Sequence, residues 1–315
     1  MTGQRFVAAA VQGSPEFLDL QATMQKVDFL IRESAAKGAT LIVFPEAYVS
    51  GFPYWIWGDT PSIETEGFER LWESAIDVPG VETEHIGEAA SNAGAVVVIG
   101  VNERDSTYGR ATLYNTMLTF DADGSLVRRH RKTVPTYKER TVWGAGDGSG
   151  LPVADTAVGP LGGLICWENY LPLARFHQYA QGVQVHVAPT LDESPQWIDL
   201  MRTIGAEGRI YAVSACQFLD PRVIASHPLL AGFPKTPPMP LAGSSVIVDP
   251  HGTVIAGPSP EMDAILTAEI DPREIVRAKH SLDVTGHSLR PDLFQLTVDT
   301  RPRGPFTVPD GPVRN

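Results

Sequence analysis

TLIVFPEAYVSGFP, residues 40–53, begins with five residues that are all apolar or β-branched, then turns through a proline onto a carboxylate. A half-exposed strand would alternate polar and apolar residues, so an unbroken run predicts a strand covered on both faces. Upstream, RFVAAAVQ (5–12) reads as a first strand. Leu20, Met24, Val27 and Ile31 then recur at helical spacing until Gly38 closes the helix. Downstream, residues 82–93 read as a helix stopped by Gly94, and AVVVIGVNE (95–103) as another buried strand. Residues 112–120 and 125–130 form a hairpin pattern around Ala122-Asp123-Gly124. LGGLIC (161–166) leads into a helix near 170–180, and VQVHVAP (183–189) is again strand-like. Ser194-Pro195 supplies an N-cap and a first-turn proline for a helix to about residue 208. A second hairpin covers 242–249 and 252–256, a last strand 264–270, and Pro272 starts a short helix. This order predicts an α/β fold of mixed strands with helices outside. One sheet or two remain open, and no usable internal repeat emerges.

Composition narrows the class. The chain has 315 residues, 43% hydrophobic and 20% charged, enough for a large core. Its net charge of −12, without a basic stripe, argues against nucleic acid or an anionic membrane as partner. No apolar run approaches the roughly 18–20 residues of a membrane span. At the N-terminus only Arg5 precedes the apolar stretch, and Gln12-Gly13 end it, so a strand is expected there, and a cytoplasmic protein. Two cysteines, Cys166 and Cys216, predict a reducing compartment and at least one free thiol. The eight histidines form no HExxH and the cysteines no CxxC, so neither metal nor cofactor is expected.

Three positions suit chemistry. Cys166 closes an apolar strand just before a predicted helix, a corner at which backbone N–H groups and the helix dipole can stabilise a thiolate. Taken alone, the pattern fits a buried structural cysteine better. Glu46 stands at the mouth of a buried strand, where a carboxylate is costly without a partner or a task and can act as a general base. Taken alone, it reads equally as a first-turn helix glutamate. Lys132 ends the run Arg128-Arg129-His130-Arg131-Lys132, which by itself suggests a solvated basic face. A lysine here could face a thiolate or a developing anion, but local pattern does not choose between Lys132 and Lys138.

Taken together, LIVFPEAYVSGFP (41–53), HRKTVPTYKERTVWG (130–144) and GGLICWENYLPLAR (162–175) resemble the nitrilase superfamily, whose members use Glu, Lys and Cys in that chain order. Cys166-Trp167-Glu168 resembles the nucleophile motif of the true nitrilase branch. DVTGHSLRPD (283–292) resembles that branch's C-terminal signature, with Ser288 where many members have tyrosine. The resemblance implies a four-layer α-β-β-α sandwich over residues 1–282, with 283–315 a C-terminal tail packing at an interface. It implies Cys166 as nucleophile, Glu46 as general base, Lys132 as stabiliser of the tetrahedral intermediate and Glu139 as a second glutamate positioning lysine and substrate. Tyr54, Trp167 and Pro189 fall where the family lines its substrate pocket. The implied reaction turns a small organic nitrile into a carboxylic acid and ammonia, in a homodimer or larger spiral. Phe52, Trp55, Trp57 and Trp167 favour an aromatic or arylaliphatic nitrile. The alternatives are an amidase, carbamoylase or cyanide-degrading member of the superfamily, or a non-catalytic assembly protein on the same fold.

Overall fold

Side-chain alternation along the strands sets the layers. In Ala39–Val43 (β2), Leu41 and Val43 face one apolar cluster, while Ile42 and the following Phe44 face another. Val96–Arg104 (β3) repeats this, with Val96 and Val98 on the first side and Val97, Ile99 and Val101 on the second. Continuous apolar runs are therefore strands buried on both faces, one towards a second sheet and one towards helices. The computed structural model describes residues 4–58, 61–230, 243–259 and 263–304.

Among the described residues, twelve strands form two six-stranded sheets. The first contains Phe6–Gln12 (β1), β2, β3, Leu113–Phe120 (β4), Leu126–Arg131 (β5) and the last strand, Ala264–Ile270 (β12), in the order β12-β1-β2-β3-β4-β5. The second contains Ala154–Thr156 (β6), Gly159–Gly163 (β7), Val185–Val187 (β8), Tyr211–Ser214 (β9), Val246–Val248 (β10) and Val254–Ala256 (β11), in the order β11-β10-β9-β8-β7-β6. Both sheets share one pairing pattern. An antiparallel pair, β12 with β1 or β6 with β7, precedes two parallel pairs and two further antiparallel ones. The fold is thus internally duplicated, although the sequence shows no repeat.

Helices Leu20–Ala36 (α1), Pro61–Ser74 (α2) and Val81–Ala93 (α3) belong to the first half. Met24, Val27 and Ile31 of α1 and Ile86 and Ala90 of α3 cover the outer face of the first sheet. Pro172–Ala180 (α4) and Pro195–Gly208 (α5) supply Tyr179, Trp197, Met201 and Ile204 to the outer face of the second. Ala8, Leu41, Val98, Leu161, Val187 and Val213 fill the space between the sheets. The result is the expected α-β-β-α sandwich. Short Pro221–Ser226 (α6) and Pro272–Ser281 (α7) complete the helices among the described residues.

The predicted elements form, with Ser194 capping α5 and Gly94 in the left-handed conformation after α3. Helices α2 and α6 and strands β6 and β9 were not anticipated. Gly67 interrupts the α2 pattern because an added Cβ would stand 2.4 Å from the Trp55 ring, and β9 is only four residues long. Residue 242 of the second hairpin and residues 305–315 of the tail lie outside the described residues. From 283 to 304 the tail contains neither helix nor strand. It is tied to its own chain by Thr285 Oγ1, which donates to the Tyr179 carbonyl at 3.3 Å, and by Arg303 N, which donates to Asp147 at 2.6 Å.

Beyond β2 the chain is strapped along β3. Phe44 N donates to Val98 O at 2.7 Å, Gly100 N to Pro45 O at 3.1 Å, and Val49 N to Gly100 O at 3.0 Å. A Cβ on Gly100 would lie 2.4 Å from both Pro45 O and Ala47 N, so only glycine permits this approach around Glu46. Gly100→Ala is expected to destabilise the protein by about 1–3 kcal/mol and to lower turnover by displacing Glu46. Urea midpoints with steady-state kinetics check this, and a variant of wild-type stability and turnover would contradict it.

Candidate active site

The basic run at 128–132 divides by the two-residue period of a strand. Arg128, His130 and Lys132 point inward and are buried, whereas Arg129 and Arg131 lie on the other face and both pair with Glu103. The run is therefore not a solvated basic face, as its composition alone suggested. Arg128 donates to the Gly150 carbonyl at 2.9 Å and the Gly163 carbonyl at 2.8 Å, joining β5 to β7. Burial pulls its pKa down to about 10.

Lys132 has no exposed surface, and its ammonium bridges two carboxylates: Nζ lies 2.7 Å from Glu46 Oε1 and 2.8 Å from Glu139 Oε2. Lys138 is less buried, and it is Lys132 that bridges Glu46 and Glu139. Burial opposes the charge on Lys132, but Glu139 and Glu46 outweigh it and hold its pKa well above the ordinary value. Burial, and then repulsion from Glu46, raises Glu139 to about 7 against the pull of Lys132. The carboxylates are themselves fixed. Thr136 N donates to Glu139 Oε2 at 2.7 Å, and Asn115 Nδ2 to Glu46 Oε1 at 2.7 Å. Gln217 Nε2 donates to the Glu46 carbonyl at 3.0 Å. Glu46 Oε2 is buried and has no hydrogen-bond partner among the described residues.

Cys166 faces this cluster: Glu46, Lys132 and Glu139 all act electrostatically on its thiol. It begins a 3-10 turn, Cys166–Tyr170, and adopts a left-handed φ of 49°. That conformation is uncommon for a residue with a Cβ and persists only when its surroundings enforce it. Here Cys166 N donates to the Pro189 carbonyl at 2.8 Å, and Asn169 Nδ2 donates to the carbonyls of Leu164 and Cys166 at 2.9 and 2.8 Å. The expected helix dipole does not lower the thiol. The turn is a short 3-10 segment, and burial followed by Glu46 pushes the pKa well above normal, with Lys132 only partly opposing.

Glu168 was noticed only as a letter of a motif, yet it organises the turn. Its carboxylate accepts from His130 Nε2 at 2.9 Å, Thr133 N at 2.7 Å and Ile165 N at 2.9 Å. Burial alone would raise its pKa, but His130 and the donated hydrogen bonds bring it down to about 2. It clamps the end of β5 to the backbone immediately before Cys166. The signal that could have found it is the i, i+2 spacing of Arg128, His130 and Lys132 along β5 and its end. Asn115 and Gln217, both fully buried, left no readable pattern.

The three residues expected to line a substrate pocket are placed differently from one another. Tyr54 is buried and donates from its hydroxyl to Gln217 Oε1 at 2.7 Å, which connects it to Glu46. Pro189 meets Cys166 through its carbonyl, which accepts from the Cys166 amide. Trp167 is half exposed, and its indole N–H donates to Asp192 Oδ2 at 2.8 Å. With Tyr170, Asp192, Ser194 and Gln196 it lines an open cleft of about 400 Å³ beside the nucleophile turn. Phe52 and Trp55 are core residues of the cluster around Tyr54. Among the described residues no three His, Cys, Asp or Glu side chains form a metal-holding group.

The layered fold itself is shared with solved structures. The Nit3 protein of Saccharomyces cerevisiae, a member of the nitrilase superfamily, superposes with a TM-score of 0.73 at 20% identity, over 90% of this chain and 97% of its own. Residues 7–280 match the carbon-nitrogen hydrolase family, and the chain belongs to that family, in its nitrilase branch. It is 42% identical to a nitrilase of Bradyrhizobium diazoefficiens over 95% of this chain and 93% of the relative. It is 43% identical to an aliphatic nitrilase of Sinorhizobium fredii over 95% of this chain and 97% of the relative.

Glu168 offers a test of the clamp. Its folded pKa lies below the usual carboxylate value, so its stabilisation is present above about pH 4.5 and is lost as pH falls towards 2. The shift corresponds to roughly 3 kcal/mol at neutral pH. Glu168→Gln is expected to lose stability of that order at pH 7, and the gap to wild type should narrow at pH 3. Denaturant titrations at the two pH values read this. A gap that is constant or widens in acid would contradict it.

Proposed function

We propose that this chain is a nitrilase that hydrolyses a small organic nitrile, with two waters, to a carboxylic acid and ammonia. One observation carries the reading. Glu46 has one oxygen held by Lys132 and Asn115 and the other without a partner among the described residues, beside a thiol that burial keeps protonated. A carboxylate so arranged is positioned to move protons without losing its orientation.

Glu46 takes the Cys166 proton as sulfur attacks the nitrile carbon, and that proton passes to nitrogen, giving a thioimidate. A water deprotonated by Glu46 adds to it. Lys132 and the Trp167 backbone N–H meet the charge of the tetrahedral intermediate. Glu46 returns that water proton to nitrogen and takes the proton of the new C–OH as C=O forms; passed to nitrogen as the C–N bond breaks, this second proton completes ammonia, and a thioester remains. A second water, activated in the same way, adds to the thioester. The C–S bond then breaks, the acid departs and the thiol recovers its proton. Breaking C–S before C–N would release an amide instead. Glu139 keeps Lys132 in place throughout.

Aromatic surface on the elements bearing Tyr54 and Glu139 supports an aromatic or arylaliphatic substrate. Trp57 and Tyr137 stack there with centroids 6.1 Å apart. The resemblance to an aliphatic nitrilase makes short aliphatic nitriles the specific alternative. Similarity to nitrilases over most of the chain favours nitriles over amides as substrates. Assembly belongs to the same reading. Tyr170, Leu171 and Leu173 expose apolar surface on the nucleophile turn and α4, which suits pairing with a second copy.

Cys166→Ala is expected to cut ammonia release by on the order of 10⁴-fold or more, and Glu46→Gln to fail in both half-reactions. Ammonia, acid and amide measured separately on phenylacetonitrile, benzonitrile and propionitrile test reaction and preference together. Substantial turnover by Cys166→Ala would refute the mechanism, faster hydrolysis of amides than of nitriles would point to an amidase, and a lead for propionitrile would overturn the aromatic preference. Light scattering is expected to return at least twice the mass of one chain, and a monomer at working concentration would remove the assembly.

A further inference from the structure

One group touching the Cys166 sulfur takes no part in these proton transfers. Thr190 Oγ1 lies 3.1 Å from Sγ, and Asp192 N donates to that same hydroxyl oxygen at 2.9 Å. A hydroxyl has a single proton. With its oxygen already accepting from Asp192, the proton is directed at sulfur. The hydroxyl is fully buried, so water does not compete for it.

The duplicated fold adds a second reason. Strand β2 continues into Phe44-Pro45-Glu46 and β8 into Ala188-Pro189-Thr190. Val43 pairs with Val98 on β3 just as Val187 pairs with Val213 on β9. Phe44 N donates to Val98 O at 2.7 Å, and Ala188 N to Val213 O at 2.9 Å. Thr190 thus holds in the second half the position that Glu46 holds in the first, and the two converge on Cys166 from opposite sheets.

We propose that Thr190 is a catalytic residue, whose hydroxyl donates to the Cys166 sulfur whenever that sulfur carries negative charge. This occurs at attack on the substrate and again when the C–S bond breaks and its electron pair returns to sulfur. A thiol or thioester sulfur is a weak acceptor and a thiolate a strong one, so the bond strengthens only as charge develops. The other groups facing the sulfur do not supply this. Glu46, from the segment after β2, and Glu139, from its 3-10 turn, both oppose negative charge there. Tyr170, on the nucleophile's own turn, also interacts with Cys166 and is itself pushed up, first by burial. Lys132 favours the charge but is shared between the two carboxylates. A neutral donor stabilises the thiolate without adding a proton that the glutamates could take.

The inference rests on Cys166 being the nucleophile, and the experiment separates the two claims. The rate of Cys166 alkylation by iodoacetamide, read by peptide mass, is followed against pH in wild type, Thr190→Val and Thr190→Ser, alongside nitrile turnover. Thr190→Val keeps the shape and removes the donor. Its alkylation inflection is expected to rise by about one to two pH units. Acyl-enzyme should accumulate in it because thioester hydrolysis slows by on the order of 10-fold to 100-fold. Thr190→Ser should stay near wild type in both. An unmoved inflection in folded Thr190→Val, or an equal shift in Thr190→Ser, would overturn the role. If Thr190→Val does not fold, Thr190→Ala against Thr190→Ser makes the same comparison. Full activity after complete Cys166 alkylation would instead remove the nucleophile itself.

Discussion

A lysine ammonium with no exposed surface is the constraint on which the site depends. Taking such a charge out of water costs several kcal/mol, recovered only through close and well-placed counter-charges. Lys132 has two, and each is fixed by a neutral donor, Glu46 by Asn115 and Glu139 by the Thr136 amide. The arrangement reaches back into the sheet. Lys132 N donates to the Asn115 carbonyl at 2.8 Å, so the pairing of β4 with the end of β5 places both the lysine and the amide that steadies its partner. A slip of one residue there would turn Lys132 outward and leave the two glutamates buried without a cation.

The same burial governs the sulfur. A thiol closed off from water and faced by carboxylates keeps its proton, and burial is the larger cause. In the proposed reaction, proton removal is then coupled to attack, which requires the base to be fixed before the substrate arrives. That reading accounts for the many groups without chemistry of their own around the Cys166 turn. Glu168 ties it to β5, Asn169 to its own carbonyls, and the Pro189 carbonyl holds the Cys166 amide. These contacts offset a left-handed backbone at Cys166 that costs on the order of 1–3 kcal/mol.

Much of this was legible in the sequence. Continuous apolar runs at 40–44 and 95–103 announced strands buried on both sides, and glycines at 38 and 94 marked helix ends. Spaced motifs brought out Glu46, Lys132, Glu139 and Cys166 and the class to which they belong. The inward set Arg128, His130 and Lys132 was hidden because a run of like charges looks the same whether it alternates across a strand or lies in water. Asn115, Gln217 and Thr190 were hidden for a different reason. Each acts through a contact between segments distant along the chain, and a lone polar residue in an apolar stretch does not disclose its partner. The rise of the Cys166 thiol was missed because the dipole argument concerns a helix start in water, whereas this turn lies under two sheets.

The duplication shows why so little of the architecture appears as a repeat. Strand order and the parallel or antiparallel sense of each pair are properties of the backbone, and they ask of the side chains only that alternate positions be apolar. The halves were therefore free to diverge wherever chemistry was assigned. Three residues beyond the paired Ala10 and Gly163 stand Gly13 in one half and Cys166 in the other. At the ends of β2 and β8 stand Glu46 and Thr190, each after a proline. Cys166 comes from one sheet, and Glu46 and Lys132 from the other. The reacting groups therefore meet only when the sheets stack, and the apolar surface that joins the sheets also excludes bulk water from the charges between them.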